Sequence, residues 1–288
     1  VSLLVFAVIA VVVSIKRAEL SQGGQVVAKA LGGRLVDYQL ADDKQQRLLN
    51  IVEEMAIAAG VPVPPVYLMN ESSINAFAAG YSPADAVIGV TQGCLNLLNR
   101  DQLQGVIAHE FSHILNGDMR LNIRLIALLH GIEFIGHSGY FLLRSMGRHR
   151  AVGAGSSKSK DNGGGILGLA LGLMVLGYLG TFFGSLIKAA VSRQREFLAD
   201  ASAVQFTRNP SGIAGALKSI GAATFGSQVK NPNADEMSHL FFAEAISRWS
   251  SLFATHPPLK QRIKRLDPSW DGVFPTETQL KQQSSEQS

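Results

Sequence analysis

VIAHEFSHILNGD, residues 106–118, carries two histidines four positions apart, with a glutamate directly after the first. On an α-helix, positions four apart lie on one face, one turn from each other. His109 and His113 are therefore placed to share one metal ion. Glu110 sits around the helix from them, close enough to take a proton from water at the metal without being a ligand. The pattern H-E-x-x-H encodes this division of labour. Average composition would produce it by chance in roughly one chain in a hundred of this length. The plainer alternative is an amphipathic helix with two partly exposed histidines and an apolar side of Val106, Ile107, Phe111 and Ile114. A catalytic zinc takes three protein ligands, and this stretch supplies two.

A second stretch, SRQREFLADASA at 192–203, offers the third. Glu196 and Asp200 are again four apart and share a helix face. Glu196 could complete a His₂Glu set, while Asp200 could accept the other ring N–H of a ligand histidine and fix its tautomer. The alternative is an exposed charged face with Glu196 paired to Arg193 or Arg195. The small residues after the acids favour close packing against another helix.

The composition places these motifs in a membrane protein. Of 288 residues, 47% are hydrophobic and only 17% charged, and the mean hydropathy is +0.16. That balance is apolar for a soluble chain, and the excess is concentrated. Residues 1–15, VSLLVFAVIAVVVSI, precede Lys16 and Arg17; they are too few to span a bilayer and read as the end of a transmembrane helix. Residues 166–187, ILGLALGLMVLGYLGTFFGSLI, contain no charge and are long enough to span, with glycines suited to close helix packing in lipid. Residues 121–143 are largely apolar but include Arg124, His130, Glu133 and His137, so they pack within a bundle or lie partly at the interface. Between the last two, residues 144–165 are rich in Gly, Ser and basic residues and read as a flexible connector. The layout is a membrane hairpin. The single cysteine, Cys94, excludes a disulfide framework and a cysteine-based zinc site. The net charge of +4 is scattered, which argues against nucleic-acid binding.

On either side of the hairpin the pattern is that of a mixed domain. Asp42 with Gln45 caps a helix whose apolar positions are Leu48, Ile51, Val52 and Met55 and which Gly60 ends. Strands are expected at 66–69, 74–78 and 86–91, with YSPAD as the turn between the last two. Asp101 with Gln104 opens the HExxH helix. Further helices are expected at 189–208, 211–224 and 239–253, and a short one after the prolines at 257–258. The end of the chain, 275–288, is polar and reads as disordered.

Together INAFAAG (74–80), VIAHEFSHILNGDM (106–119), SRQREFLADA (192–201) and LFATHPPLKQRI (252–263) resemble the HtpX-type membrane zinc endopeptidases, gluzincins related to the CAAX prenyl proteases. The likeness runs from about Gly23 to Leu266, with the four motifs in family order. It implies one zinc per chain held by His109, His113 and Glu196, Glu110 as general base, and Asp200 steadying a ligand histidine. It further implies that Asn75, Ala76 and Phe77 lie on an edge strand that holds the substrate backbone, and that His256 and Arg262 stabilise the oxyanion. The resemblance also includes Asp118 in the family's extended motif. From the residues alone, His256 reads equally well as a helix-start residue, and Asp118 as a helix-end or turn residue after Gly117. His130, His137, His149 and His239 receive no role.

The expected fold is α+β and mainly helical: a gluzincin-type protease domain with a small sheet and an inserted transmembrane hairpin. Residues 1–20 would end a transmembrane helix, 21–120 and 191–274 form the two parts of the protease domain, 121–190 the hairpin and connector, and 275–288 the tail. The resemblance implies polypeptide substrates, membrane proteins among them, a quality-control role, and a bacterial inner-membrane location with the catalytic part in the cytoplasm. The connector's Arg144, Arg148, Arg150, Lys158 and Lys160 pull the other way, since basic loops favour the cytoplasmic side. The rival readings are a prenyl-protein protease with the same chemistry and a zinc-stabilised membrane adaptor or holdase without turnover.

Overall fold

The computed structural model describes residues 2–20, 23–152, 162–223, 256–276 and 279. The helix expected at 239–253, the middle of the connector and most of the tail lie outside the described residues. In chain order the elements are α1 (Ser2–Leu20), α2 (Gly24–Ala30), β1 (Arg34–Leu35), α3 (Asp43–Ala59), β2 (Val66–Met69), β3 (Ala76–Ala79), a 3₁₀ turn (Pro83–Asp85), β4 (Val87–Thr91), α4 (Gln92–Leu97), α5 (Arg100–Leu115), α6 (Asp118–Val152), α7 (Asn162–Thr207), α8 (Pro210–Ala222) and α9 (Leu259–Leu266). The fold is α+β and mainly helical. It divides into two compact units: Val1–Glu19 with Ile123–Lys188, and Leu20–Asn122 with Ala189–Ser288.

The larger unit is built on a four-stranded mixed sheet in the order β1-β2-β4-β3. β2 and β4 run parallel, with Val66 beside Ile88, and β3 pairs antiparallel with β4, with Ala78 beside Ile88. Side chains alternate strictly. Val66, Ala76, Ala78, Ile88 and Val90 face α3 and α5, whereas Tyr67, Met69, Phe77, Ala79 and Val87 face Val27, Ala28 and Leu31 of α2. Both faces are therefore covered, and the strands read as nearly continuous apolar runs. β3 is the outermost strand on its side.

The capping chemistry expected for α3 is present: Asp42 accepts from the Gln45 amide, and the helix ends at Gly60 in the left-handed region. Leu48, Ile51, Val52 and Met55 are all buried. α5 starts earlier than expected. Its cap is a reciprocal pair of Asn99 and Gln102, not Asp101 and Gln104, because Leu98 and Asn99 are already extended after the unanticipated short helix α4. Leu103, Val106, Ile107, Phe111 and Ile114 fix α5 in the core. α5 crosses α8 at Gly105, where a Cβ would sit 2.6 Å from the backbone nitrogen of Ile213.

In the smaller unit α6 and α7 approach through glycines. A Cβ at Gly177 would lie 2.3 Å from the Gly136 nitrogen, and one at Gly139 would lie 2.5 Å from the Met174 nitrogen. Gly180 faces Ile132, Gly184 faces Leu129, and Gly131 receives Val13 of α1. This is the small-residue packing that helices in lipid use. Two helices, Asp118–Ser145 and Gly164–Thr207, are long and apolar enough to cross a membrane. Arg124, His130, Glu133 and His137 of α6 are exposed. The separate helix expected from 189 is instead the continuation of α7. Lys188 changes the polarity of the helix without ending it, since no glycine or proline occurs between Gly184 and Pro210.

Gly105→Ala tests the crossing of α5 and α8. Alanine favours helix by up to about 1 kcal/mol, yet the Cβ meets backbone that cannot step aside. A net loss of about 1–3 kcal/mol is expected, read from denaturant unfolding in detergent; a stabilised variant would contradict the packing.

Candidate active site

α5 delivers the first half of the site. His109 and Glu110 are 0% and 1% exposed, and His113 is half-buried, unlike the surface histidines of an ordinary amphipathic helix. α7 delivers the second half, since Glu196 and Asp200 are both buried in the same unit. The Nε2 atoms of His109 and His113 lie 3.2 Å apart. Glu196 places one carboxylate oxygen 3.5 Å from His109 Nε2 and the other 3.5 Å from His113 Nε2. A tetrahedral ion with bonds of about 2.0–2.1 Å has ligand atoms about 3.3 Å apart. The two imidazoles stand close to that spacing with the Glu196 carboxylate against both, and the three residues form a metal-ligand cluster among the described residues, their ligand atoms within 4.8 Å of one another.

Each outer ring nitrogen has a carboxylate. Asp200 Oδ1 lies 3.0 Å from His109 Nδ1, and Asp118 Oδ2 lies 2.8 Å from His113 Nδ1. Each of these acids is in turn held by an arginine. Arg262 donates through Nε and Nη2 to the two oxygens of Asp200 at 2.8 and 2.6 Å, and its Nη1 lies 3.3 Å from Glu196 Oε2. Arg195 pairs with Asp118 and not with Glu196. His256 is buried, with Nδ1 2.9 Å from Glu196 Oε2.

The electrostatics favour a cation at the centre. Burial works against charge on His113, but hydrogen bonds to Asp118 and Glu196 outweigh it and lift the imidazole to about 10. His109 is raised in the same way, against its burial, by Asp200 and Glu196. What holds a proton so firmly on a ring nitrogen also favours a metal ion in its place, with the protons released on binding. Glu110 is raised above the usual carboxylate range, first by burial, with His113 and His109 opposing. Neither of its oxygens has a hydrogen-bond partner among the described residues.

β3 borders this centre. Ala78 lines one cavity with His113, Asp118, Arg195 and Glu196. Asn75 is buried where the strand begins, its carbonyl accepting from Thr91 Oγ1 at 3.0 Å and Cys94 Sγ at 3.1 Å. The Phe77 ring turns to the opposite face of the sheet and packs over Gly89.

Residues 42–269 match the profile of peptidase family M48. The chain belongs to this family. Among its M48 relatives, a protease HtpX homolog of Thermoanaerobacter pseudethanolicus is 43% identical over 219 residues, covering 76% of this chain and 70% of that protein. A protease HtpX homolog of Streptococcus uberis is 39% identical over 234 residues, covering 79% and 75%. The crystal structure of S. mikatae Ste24p shares the fold, with a TM-score of 0.57 at 17% identity; it covers 91% of this chain, which spans 58% of that one. The chain is a metallopeptidase of the M48 family, and its described residues include two helices long and apolar enough to cross a membrane, as a membrane metalloprotease requires.

Sequence reasoning left Asp118 open between the family's extended motif and a turn after Gly117, and offered Arg195 as a partner of Glu196; in the structure Asp118 lies against His113 and pairs with Arg195. The available signal was the position of Asp118 directly after Gly117, whose φ of +69° reverses the chain at the end of α5 and brings the acid back under His113. For Arg262, replacement by leucine would leave Asp200 buried without its guanidinium. Losing one partner of a buried ion pair costs about 3–5 kcal/mol, so Arg262→Leu is expected to lower the unfolding free energy by that amount. A loss below 1 kcal/mol would mean that Asp200 finds other compensation.

Proposed function

We propose that this chain is an integral-membrane, zinc-dependent endopeptidase that cuts polypeptides, membrane proteins in quality control among them. The protease domain is then formed by the segments on either side of the membrane hairpin, with one zinc per chain. His109, His113 and Glu196 are its ligands, and the His₂Glu donor set favours zinc among the divalent ions. When bound, zinc supplies Lewis acidity, polarising a peptide carbonyl and making water more acidic.

The remaining work falls to the chain. Glu110 takes the proton of the attacking water and returns it to the leaving amine, for which burial raises its basicity in the right direction. His256, with Nδ1 against Glu196 and no partner for Nε2 among the described residues, donates from Nε2 to the oxyanion. Arg262, its guanidinium engaged by Asp200 and Glu196, serves the oxyanion less directly, by fixing the carboxylates around the centre. A substrate in extended conformation aligns along β3 from Asn75 through Ala76 and Phe77, as strand addition to an outermost strand requires. The location that goes with this reading is the bacterial inner membrane, with the catalytic part on the cytoplasmic side.

The observation that carries this reading is the Glu110 carboxylate, enclosed and without a hydrogen-bond partner beside three converged metal-ligand atoms. A buried carboxylate is costly unless something satisfies it. A holdase with a structural zinc site has no use for such an acid; a hydrolase that must activate water does.

Glu110→Gln is expected to bind zinc as wild type does but to lose cleavage of an unfolded substrate by a factor of about 10²–10⁴. Undiminished turnover would end this mechanism. Glu196→Ala should lose its zinc by elemental analysis, and full retention would mean that the third ligand lies elsewhere.

A further inference from the structure

The strongest unassigned feature is the pair Asp118 and Arg195. α5 closes at Asn116, and Gly117 turns the chain so that Asp118, the first residue of α6, is 3% exposed beneath His113. One carboxylate oxygen lies 2.8 Å from His113 Nδ1, placed to accept a hydrogen bond from it. The other pairs with Arg195 Nη1, and the same nitrogen reaches the Asn116 carbonyl at 3.4 Å. Arg195 directly precedes Glu196. The pair thus ties the end of the helix that supplies two ligands to the segment that supplies the third.

We infer that Asp118 is a positioning residue for His113, held in place by Arg195, and that it tunes metal affinity as Asp200 does for His109. The inference rests on the assignment of His109, His113 and Glu196 as metal ligands. A histidine presents one nitrogen to a metal only if the other carries the proton, and an acceptor at that second nitrogen fixes both tautomer and ring angle. With Nε2 facing His109 and Glu196, Nδ1 of His113 must be the donor, and Asp118 is the group that receives it. Arg195 balances the charge of a carboxylate buried at that point and leaves it a single orientation. The two arms differ in surroundings. Arg262 is wholly enclosed, while Arg195 is partly exposed and lines the cavity beside Ala78 and Glu196. The His113 arm is therefore the one that occupants of this cavity can touch.

A purely structural role is the competing account, because an acid at the start of α6 also favours the helix dipole. The test uses the full chain in detergent and Zn²⁺ alone, with affinity measured by competition against a chromophoric chelator. The metal-stripped protein is followed in parallel by thermal unfolding. Asp118→Ala is expected to weaken Zn²⁺ binding by about 10- to 100-fold, with unfolding of the stripped protein little changed. Asp118→Asn, whose amide oxygen still accepts from Nδ1–H, should recover part of that loss. Arg195→Gln should lose less than Asp118→Ala, and serves as the probe if the alanine variant does not fold. The Co²⁺-substituted Asp118→Ala protein should show an altered visible absorption spectrum. Wild-type Zn²⁺ affinity in Asp118→Ala and Arg195→Gln would overturn the proposal. So would a loss that merely tracks a lower unfolding temperature of the stripped protein. His113→Ala separates the two levels: if it retains Zn²⁺, the ligand assignment falls and this inference with it. If it loses Zn²⁺ while Asp118→Ala does not, only the positioning role falls.

Discussion

The structure depends on keeping several carboxylates together out of water. Glu110, Asp118, Glu196 and Asp200 are each 4% exposed or less and lie around two imidazoles. Isolated charges in that setting would cost several kcal/mol each. Every feature of the site can be read as an answer to that cost. Arg262 and Arg195 each engage one acid, the imidazoles join the acids to the centre, and Glu196 is shared among His109, His113, His256 and Arg262. Of these four acids, Glu110 is the one with neither oxygen hydrogen-bonded among the described residues.

The protein tolerates this concentration of charge because the elements that carry it are anchored by apolar burial. Leu103, Val106, Ile107, Phe111 and Ile114 are all buried on α5. At about 1.5–3 kcal/mol for each fully buried side chain, they outweigh the residual cost of seating His109 and Glu110 beside them. On the other side of the sheet α2 does the same for β3, through Phe77 and Ala79. The site is anchored by packing outside the site. That is the condition under which ligand atoms can be held a few tenths of an ångström from the spacing a metal requires.

Much of this was legible in the sequence, and for identifiable reasons. The period of the helix placed His109 beside His113 and Glu196 near Asp200, and the caps of α3 are local chemistry that Asp42 and Gln45 carry themselves. The strands at 66–69 and 86–91 announced themselves as apolar runs between breakers. What escaped depended on partners distant in the chain. β1 is a two-residue strand that exists because β2 lies beside it. The start of α5 was misread because α4 sits before it. The roles of Asp118 and Arg195 turn on a glycine conformation and on a partner 77 positions away, neither of which a local pattern contains. The unbroken course of α7 was obscured by Lys188, since a charge is a poor indicator of where a helix ends.

The same distance has a consequence for how the enzyme comes into being. The cluster draws on α5, then on the far end of α7, and last on α9, where Arg262 reaches back 62 positions to Asp200. A chain still emerging from the ribosome holds His109, Glu110 and His113 long before it holds Glu196. It holds Glu196 and Asp200 before the guanidinium that neutralises them. Until the last of these segments is made there is no complete cage for a cation. A peptidase arranged in this order has no complete cage until the segment that carries Arg262 has been made and has reached Asp200.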